Sequence, residues 1–346
     1  MTISPKTAPS PAVPTPNSWW NTGSAPGSGS PTGEASGPAR MRWHAPLLAL
    51  AAAMVVTGAV SLGGLILDDR ELVGAPIWAK PFKFSISIFI YAVTWAWLIG
   101  QLRRFRRTAW WAGAIISATL SIEMAVILTQ TIRGERSHYN QQTPYDELLW
   151  SVMGTSIAVL WLATLVAAIV LWFSPDPDRA RTLAVCLGSI ICLLGLALGF
   201  LMTIPSDQQI AAGGDIVGAH TVGAADGGAG IPILGWSTEH GDLRIPHFIG
   251  MHALQLIPLA LILIEVAARR IRVLRDVGVR KALVWTAGAV YVATVALVTW
   301  QALRGQSIVQ PDALTILVAA LIVLGGAGGV AASVGAGLRR QALHST

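Results

Sequence analysis

Charge is what this sequence has least of: Asp, Glu, Lys and Arg make up only 12% of its 346 residues, about half of what a soluble domain carries. That shortage excludes an ordinary water-soluble globule. Cysteine is nearly absent too. Cys186 and Cys192 stand six apart inside one apolar run, so neither a disulfide framework nor a CxxC metal or redox pair is available. There is no P-loop, GxGxxG, HExxH or CxxCH pattern, so no nucleotide, zinc-protease or c-type haem motif directs the reading.

Apolar residues fill the space, at 53% of the chain with a mean hydropathy of +0.58. Uncharged runs near the roughly 20 residues needed to cross a hydrocarbon core recur along the chain. They predict spans at 45–67, 82–102, 109–132, 148–173, 182–204, 247–267, 282–303 and 313–338. All must be helical, because lipid leaves no open backbone unsatisfied. The expected fold class is therefore an all-α, polytopic membrane helix bundle of about eight transmembrane helices, with the lipid bilayer as its first partner. Residues 1–39 hold eight of the nineteen prolines and no periodic apolar pattern. They read as a disordered cytoplasmic Pro/Ser/Gly-rich tail rather than a secretory signal peptide.

Orientation follows from the basic residues. Seventeen of the 24 Lys and Arg fall on the side of the Arg103, Arg104, Arg106, Arg107 cluster, and seven on the other. The positive-inside rule then puts both termini in the cytoplasm of a multi-pass plasma-membrane protein. A pI near 9.8 has its cause in these short basic loops, so nucleic acid is not an expected partner. The loops on the opposite, outer side are longer, and one runs from Pro205 to Pro246. Its Gly-rich first half reads as flexible, and its second half, with Trp236, Leu243, Ile245 and Pro246, as ordered.

The chain also repeats itself. Gln130-Thr-Ile-Arg133-Gly134 closes the third span and Gln301-Ala-Leu-Arg304-Gly305 the seventh, each before a loop with Pro and Asp. Spans 2 and 6 open with Pro81-Phe82 and Pro246-His247-Phe248. This suggests a 4+4 parallel duplication about an axis along the membrane normal. The run GGAGGVAASVGAG in span 8 reads as a packing device.

Few polar side chains interrupt the spans, and those that do gather toward the outer half. Glu123 is the one carboxyl well inside an apolar span, where its charge is costly unless it meets a partner or water. Gln130 shares its face, and Arg133 and His138 cap that face. In span 6, His247 and His252 are five apart, about 140° around a helix, and so cannot chelate one ion from a regular helix. His252 and Gln255 do share a face. Lys83 opens span 2, and Arg244 precedes span 6. These observations predict an outward-facing pocket between spans 3 and 6 in which Glu123, His138 and His252 carry chemistry. Lys83, Gln130, Arg133, Arg244, His247 and Gln255 would contact a small-molecule ligand. His252, His247 and His138 are the candidate ligands for a haem or a divalent metal serving redox or hydrolytic chemistry. Two alternatives stand beside this: a proton-coupled small-solute transporter using Glu123, and a membrane sensor or assembly partner without chemistry. Ser137-His138 lacks a nucleophile elbow, which argues against a hydrolase triad.

Overall fold

The computed structural model describes residues 43–205 and 207–343. The expected tail, 1–39, lies outside the described residues. The chain forms α1 (Ala45–Leu67), α2 (Ala79–Gly100), α3 (Arg106–Arg133), α4 (Pro144–Trp172), α5 (Arg179–Leu198), α6 (Asp207–Ala212), α7 (Arg244–Met251), α8 (Ala253–Ala268), α9 (Val277–Leu303) and α10 (Ala313–Leu343). Two short antiparallel pairs, Glu71–Leu72 with Ala75–Pro76 and Thr221–Val222 with Gly241–Asp242, lie between helices. Among the described residues, seven helices are long and apolar enough to cross a membrane, and α7 and α8, bent by 45° at their junction, bring the number to eight when counted as one broken span. The protein is thus an all-α polytopic membrane bundle.

Local chemistry sets the helix ends. Thr143 caps α4 by accepting a hydrogen bond from the Asp146 amide, with Pro144 in the first turn. Asp178 and Asp276 cap α5 and α9 in the same way. The break between α7 and α8 falls at His252, where the Ile249 carbonyl accepts both from the His252 amide at 3.2 Å and from the Tyr291 hydroxyl at 2.6 Å. Buried residues of α1 to α5, among them Leu47, Trp95, Ile116, Ala168 and Cys192, form the main core with Leu254 of α8.

The helices pack in two similar sets. α1 lies along α2 and α3 along α4, with α2 against α3; α5 lies along α7 and α8 and α9 along α10, with α7 and α8 against α9. The turns that close α3 and α9 are built alike. Gln130 Nε2 donates to the Arg136 carbonyl at 3.1 Å and Gln301 Nε2 to the Ser307 carbonyl at 2.9 Å, six residues on in each case. Gly134 and Gly305 follow in left-handed conformation at φ +79 and +73, which glycine adopts without a Cβ penalty. Arg133 and Arg304 then pair with Asp146 and Asp312.

One expectation needs correcting. Spans 3 and 6 do not lie side by side: α3 packs on α1, α2 and α4, whereas α7 and α8 pack mainly on α5 and α9, and α2 meets α8. Helix α2 therefore stands where direct contact between spans 3 and 6 was expected.

The long loop also differs from expectation. Its Gly-rich half, expected to be flexible, is tied down: the Val217 amide donates to the Tyr139 carbonyl and the Ala219 amide to the Met202 carbonyl. The Asp226 carboxylate accepts from the His220 and Thr221 amides. Such side-chain-to-backbone turns are local hydrogen-bond devices that composition does not display.

Candidate functional site

The polar groups converge where α2, α3 and α7 end beneath the loops 134–143 and 205–243, the loop-rich end of the bundle. Lys80, in the first turn of α2, directs Nζ to His138 Nδ1 at 3.0 Å, and Ser137 Oγ lies 3.1 Å from the same nitrogen. With Lys80 as an ammonium, which has no lone pair, His138 accepts at Nδ1 and carries its own proton on Nε2. The imidazole is boxed in by the rings of Tyr139, Trp150 and Phe84, with centroids 5.8, 5.8 and 6.1 Å away. Burial first, and the Lys80 charge second, hold its pKa well below the ordinary histidine value. Tyr139 holds this cluster in a left-handed backbone conformation, φ +61, with its ring 5.2 Å from that of His220.

His220 Nδ1 donates to Asp226 at 2.8 Å. Burial lowers the His220 pKa, and the Asp226 carboxylate works against that shift. For Asp226, burial raises the pKa. The hydrogen bonds from His220 and from the Thr221 and His220 amides outweigh it, and the carboxyl ends well below the usual carboxylate range.

Glu123 sits on α3 one turn toward this end from the helix middle, about 5 Å at 1.5 Å per residue. It is 8% exposed, and Lys80 is its charged neighbour. Among the described residues it has no hydrogen-bond or ion-pair partner.

Two further cations hold the loop from below. Lys83 Nζ donates to the Leu234 carbonyl at 2.7 Å. Arg244 donates to the Gly235 carbonyl and is fixed by a two-point pair with Asp242, Nε to Oδ1 at 2.9 Å and a terminal nitrogen to Oδ2 at 2.6 Å.

The histidines of span 6 part company. His247 Nδ1 donates to the Gly195 carbonyl of α5 at 2.8 Å. His252, at the helix break, donates from Nδ1 to Gln255 Oε1 at 3.2 Å and accepts at Nε2 from Ser87 Oγ of α2 at 3.4 Å. Gln255 keeps its amide nitrogen buried without a partner. Gln130 and Arg133 are engaged elsewhere: both donate to Asp146, at 2.8 and 2.5 Å, as part of the turn after α3.

The structure thus brings Glu123, His138, Lys83, Arg244 and His247 to one end around α2, sets His252 with Gln255 at the α2–α8 contact, and draws Gln130 and Arg133 into the α3–α4 turn. Sequence reasoning passed over Lys80, His220 and Asp226 as site residues. Lys80 could have been found, because it lies one turn before Lys83 and shares its face. The His220–Asp226 pair is closed by a six-residue turn in a Gly-rich stretch that shows no pattern.

The residues present do not fit a divalent metal: among the described residues, no group of three or more His, Cys, Asp or Glu could hold an ion. Nor do they fit a haem ligated by His138, whose Nδ1 is taken up by Lys80 Nζ and Ser137 Oγ and whose ring is flanked by Tyr139, Trp150 and Phe84. Comparison with known protein families, with curated proteins and with solved structures finds no match for this chain.

Proposed function

We propose that the protein is a proton-coupled carrier of a small polar solute in the plasma membrane, with its termini cytoplasmic and its loop-rich end outside. Glu123 carries the proton. The observation behind this reading is that carboxyl itself: buried among apolar helices, unpaired, and charged only at the expense of desolvation unless Lys80 answers it. A carboxyl in this position exchanges its proton when a neighbouring charge moves or a solute arrives. Lys80 and His138 join it to the loops and supply a route of titratable groups from the aqueous side. The neutral form of His138 suits a relay, since one nitrogen accepts while the other donates.

The test uses protein reconstituted in liposomes with a trapped pH-sensitive dye and a panel of small acids, amines and sugars outside. Solute-driven proton movement is expected in the wild type and none in Glu123→Gln. An infrared carboxyl band that titrates in the wild type and vanishes in Glu123→Gln assigns the proton. If no solute drives proton movement and the band is the same in both proteins, the reading falls.

A further inference from the structure

The loop above the site is a hairpin over residues 229–238. Its strands are joined by Thr238 amide to Ala229 carbonyl at 2.9 Å and Ile231 amide to Trp236 carbonyl at 2.8 Å, and its tip by Gly235 amide to Ile231 carbonyl at 2.7 Å. Ile233, at the tip, has φ +65, a conformation that costs a β-branched residue about 1–3 kcal/mol. What holds the tip against the bundle is a pair of bonds from cations: Lys83 to the Leu234 carbonyl and Arg244 to the Gly235 carbonyl.

The charges are unevenly matched. Arg244 has Asp242, and Lys80 has Glu123 in its field. Among the described residues Lys83 has no carboxylate within ion-pair distance; it is half-buried and lies in the opposing fields of Arg244 and of Asp242, the carboxylate that Arg244 already holds. A neutral carbonyl satisfies one ammonium proton, and the one carboxylate whose field reaches Lys83 is shared with Arg244. An oxyanion would satisfy both cations with charge-assisted bonds about twice as strong. The Gly235 backbone lies against both cations, since a Cβ built there would be in contact with Lys83 Nζ at 3.7 Å and with the Arg244 guanidinium at 3.8 Å.

We propose that Lys83 and Arg244 form a binding site for the oxyanion group of a small solute, and that hairpin 229–238 is a lid whose Leu234 and Gly235 carbonyls occupy that site until the anion displaces them. The proposal names the solute class for the carrier reading and rests on that reading. Release of the lid also reaches the membrane-embedded groups, because Trp236 packs edge-on to Phe248 at 5.9 Å and Phe248 to His252 at 4.5 Å.

The full chain in detergent is heated with sodium succinate, sodium phosphate or sodium chloride at matched ionic strength. At least one of the two oxyanions is expected to raise Tm by several degrees over chloride, growing with the logarithm of its concentration. Succinate alone would mark a carboxylate site, phosphate alone a phosphate site, and both a general oxyanion site. Lys83→Gln is expected to abolish the shift and Lys83→Arg to keep it. Hydrogen exchange of the wild type supplies a reading independent of any variant's folding: the amides of Ile231, Gly235 and Thr238 should exchange several-fold faster with the effective anion. If neither anion exceeds chloride, if Lys83→Gln keeps the shift, or if lid exchange does not change, the proposal is overturned. The infrared band of Glu123 is read separately, so failure of the anion site and failure of proton loading are distinguishable.

Discussion

The first four spans and the last four share a scaffold but not a site. Both halves end their third span with the same Gln–Arg–Gly turn, and in both the second span begins two residues before a proline. Counting from those turns, Glu123 of α3 corresponds to Thr294 of α9, which returns its hydroxyl to the Val290 carbonyl at 2.8 Å. Counting from the prolines, Lys80 and Lys83 correspond to Ile245 and Phe248, and Ser87 corresponds to His252, the residue it meets across the α2–α8 contact. The halves repeat a pattern of helix packing and turns, and they differ in the buried carboxyl and the two lysines that the first half alone carries. A repeat stabilises itself twice; a charged pocket is needed once.

Substitutions at paired positions test this contrast, and the largest effect is on activity. Glu123→Gln should abolish solute-driven proton movement, whereas Thr294→Val should leave it intact. If both abolish it, the halves are not functionally distinct. Next come the helix crossings. A Cβ at Gly195 would meet the backbone of Gly250, while one at Gly58 would meet only the Ser85 hydroxyl at 3.0 Å. Gly195→Ala should cost about 3 kcal/mol, the upper end for overpacking, and Gly58→Ala about 1 kcal/mol or less, measured by denaturation in detergent. The turns follow. Gln130→Leu leaves the Arg136 carbonyl and the Asp146 carboxylate each short of a donor, at about 2–3 kcal/mol. Gln301→Leu leaves only the Ser307 carbonyl, at about 1–2 kcal/mol. Equal costs would mean that the carboxylate adds nothing.

The smallest effect is that of pH. His138 is held neutral in the folded protein, so below about pH 6.5 the unfolded chain binds the extra proton and stability falls as pH falls. The loss is about 1 kcal/mol at pH 6 and grows further down. His138→Gln should make this part of the pH curve shallower, leaving the slope contributed by His220, whose pKa burial also lowers. The equivalent loop of the second half, 305–310, carries no histidine, and its hydrogen exchange should be indifferent to the same change.

Much of the fold was legible in the sequence because hydrocarbon imposes a length and forbids charge. The first span was read at 45–67, where α1 is found, and the Gln–Arg–Gly turns were visible as a repeat. What could not be read was which helices are neighbours, since each apolar surface is equally content against lipid or another helix. That is why α2 was not anticipated between α3 and the α7–α8 span. The site was legible in parts: Glu123, Lys83 and His138 announce themselves by being polar where polarity is costly. Gln130 and Arg133 announced themselves in the same way, yet both close a turn around Asp146. Polarity at a span end marks a residue with work to do without saying whether the work is architecture or chemistry.

The interruption at His252 has a mechanical consequence. A helix cut within the apolar layer must find a substitute for each bond it gives up, and here Tyr291 of the neighbouring helix lends its phenol to the Ile249 carbonyl at the joint. That elbow is therefore braced from α9 by a side chain as well as from within, where the His252 amide donates to the same carbonyl at 3.2 Å.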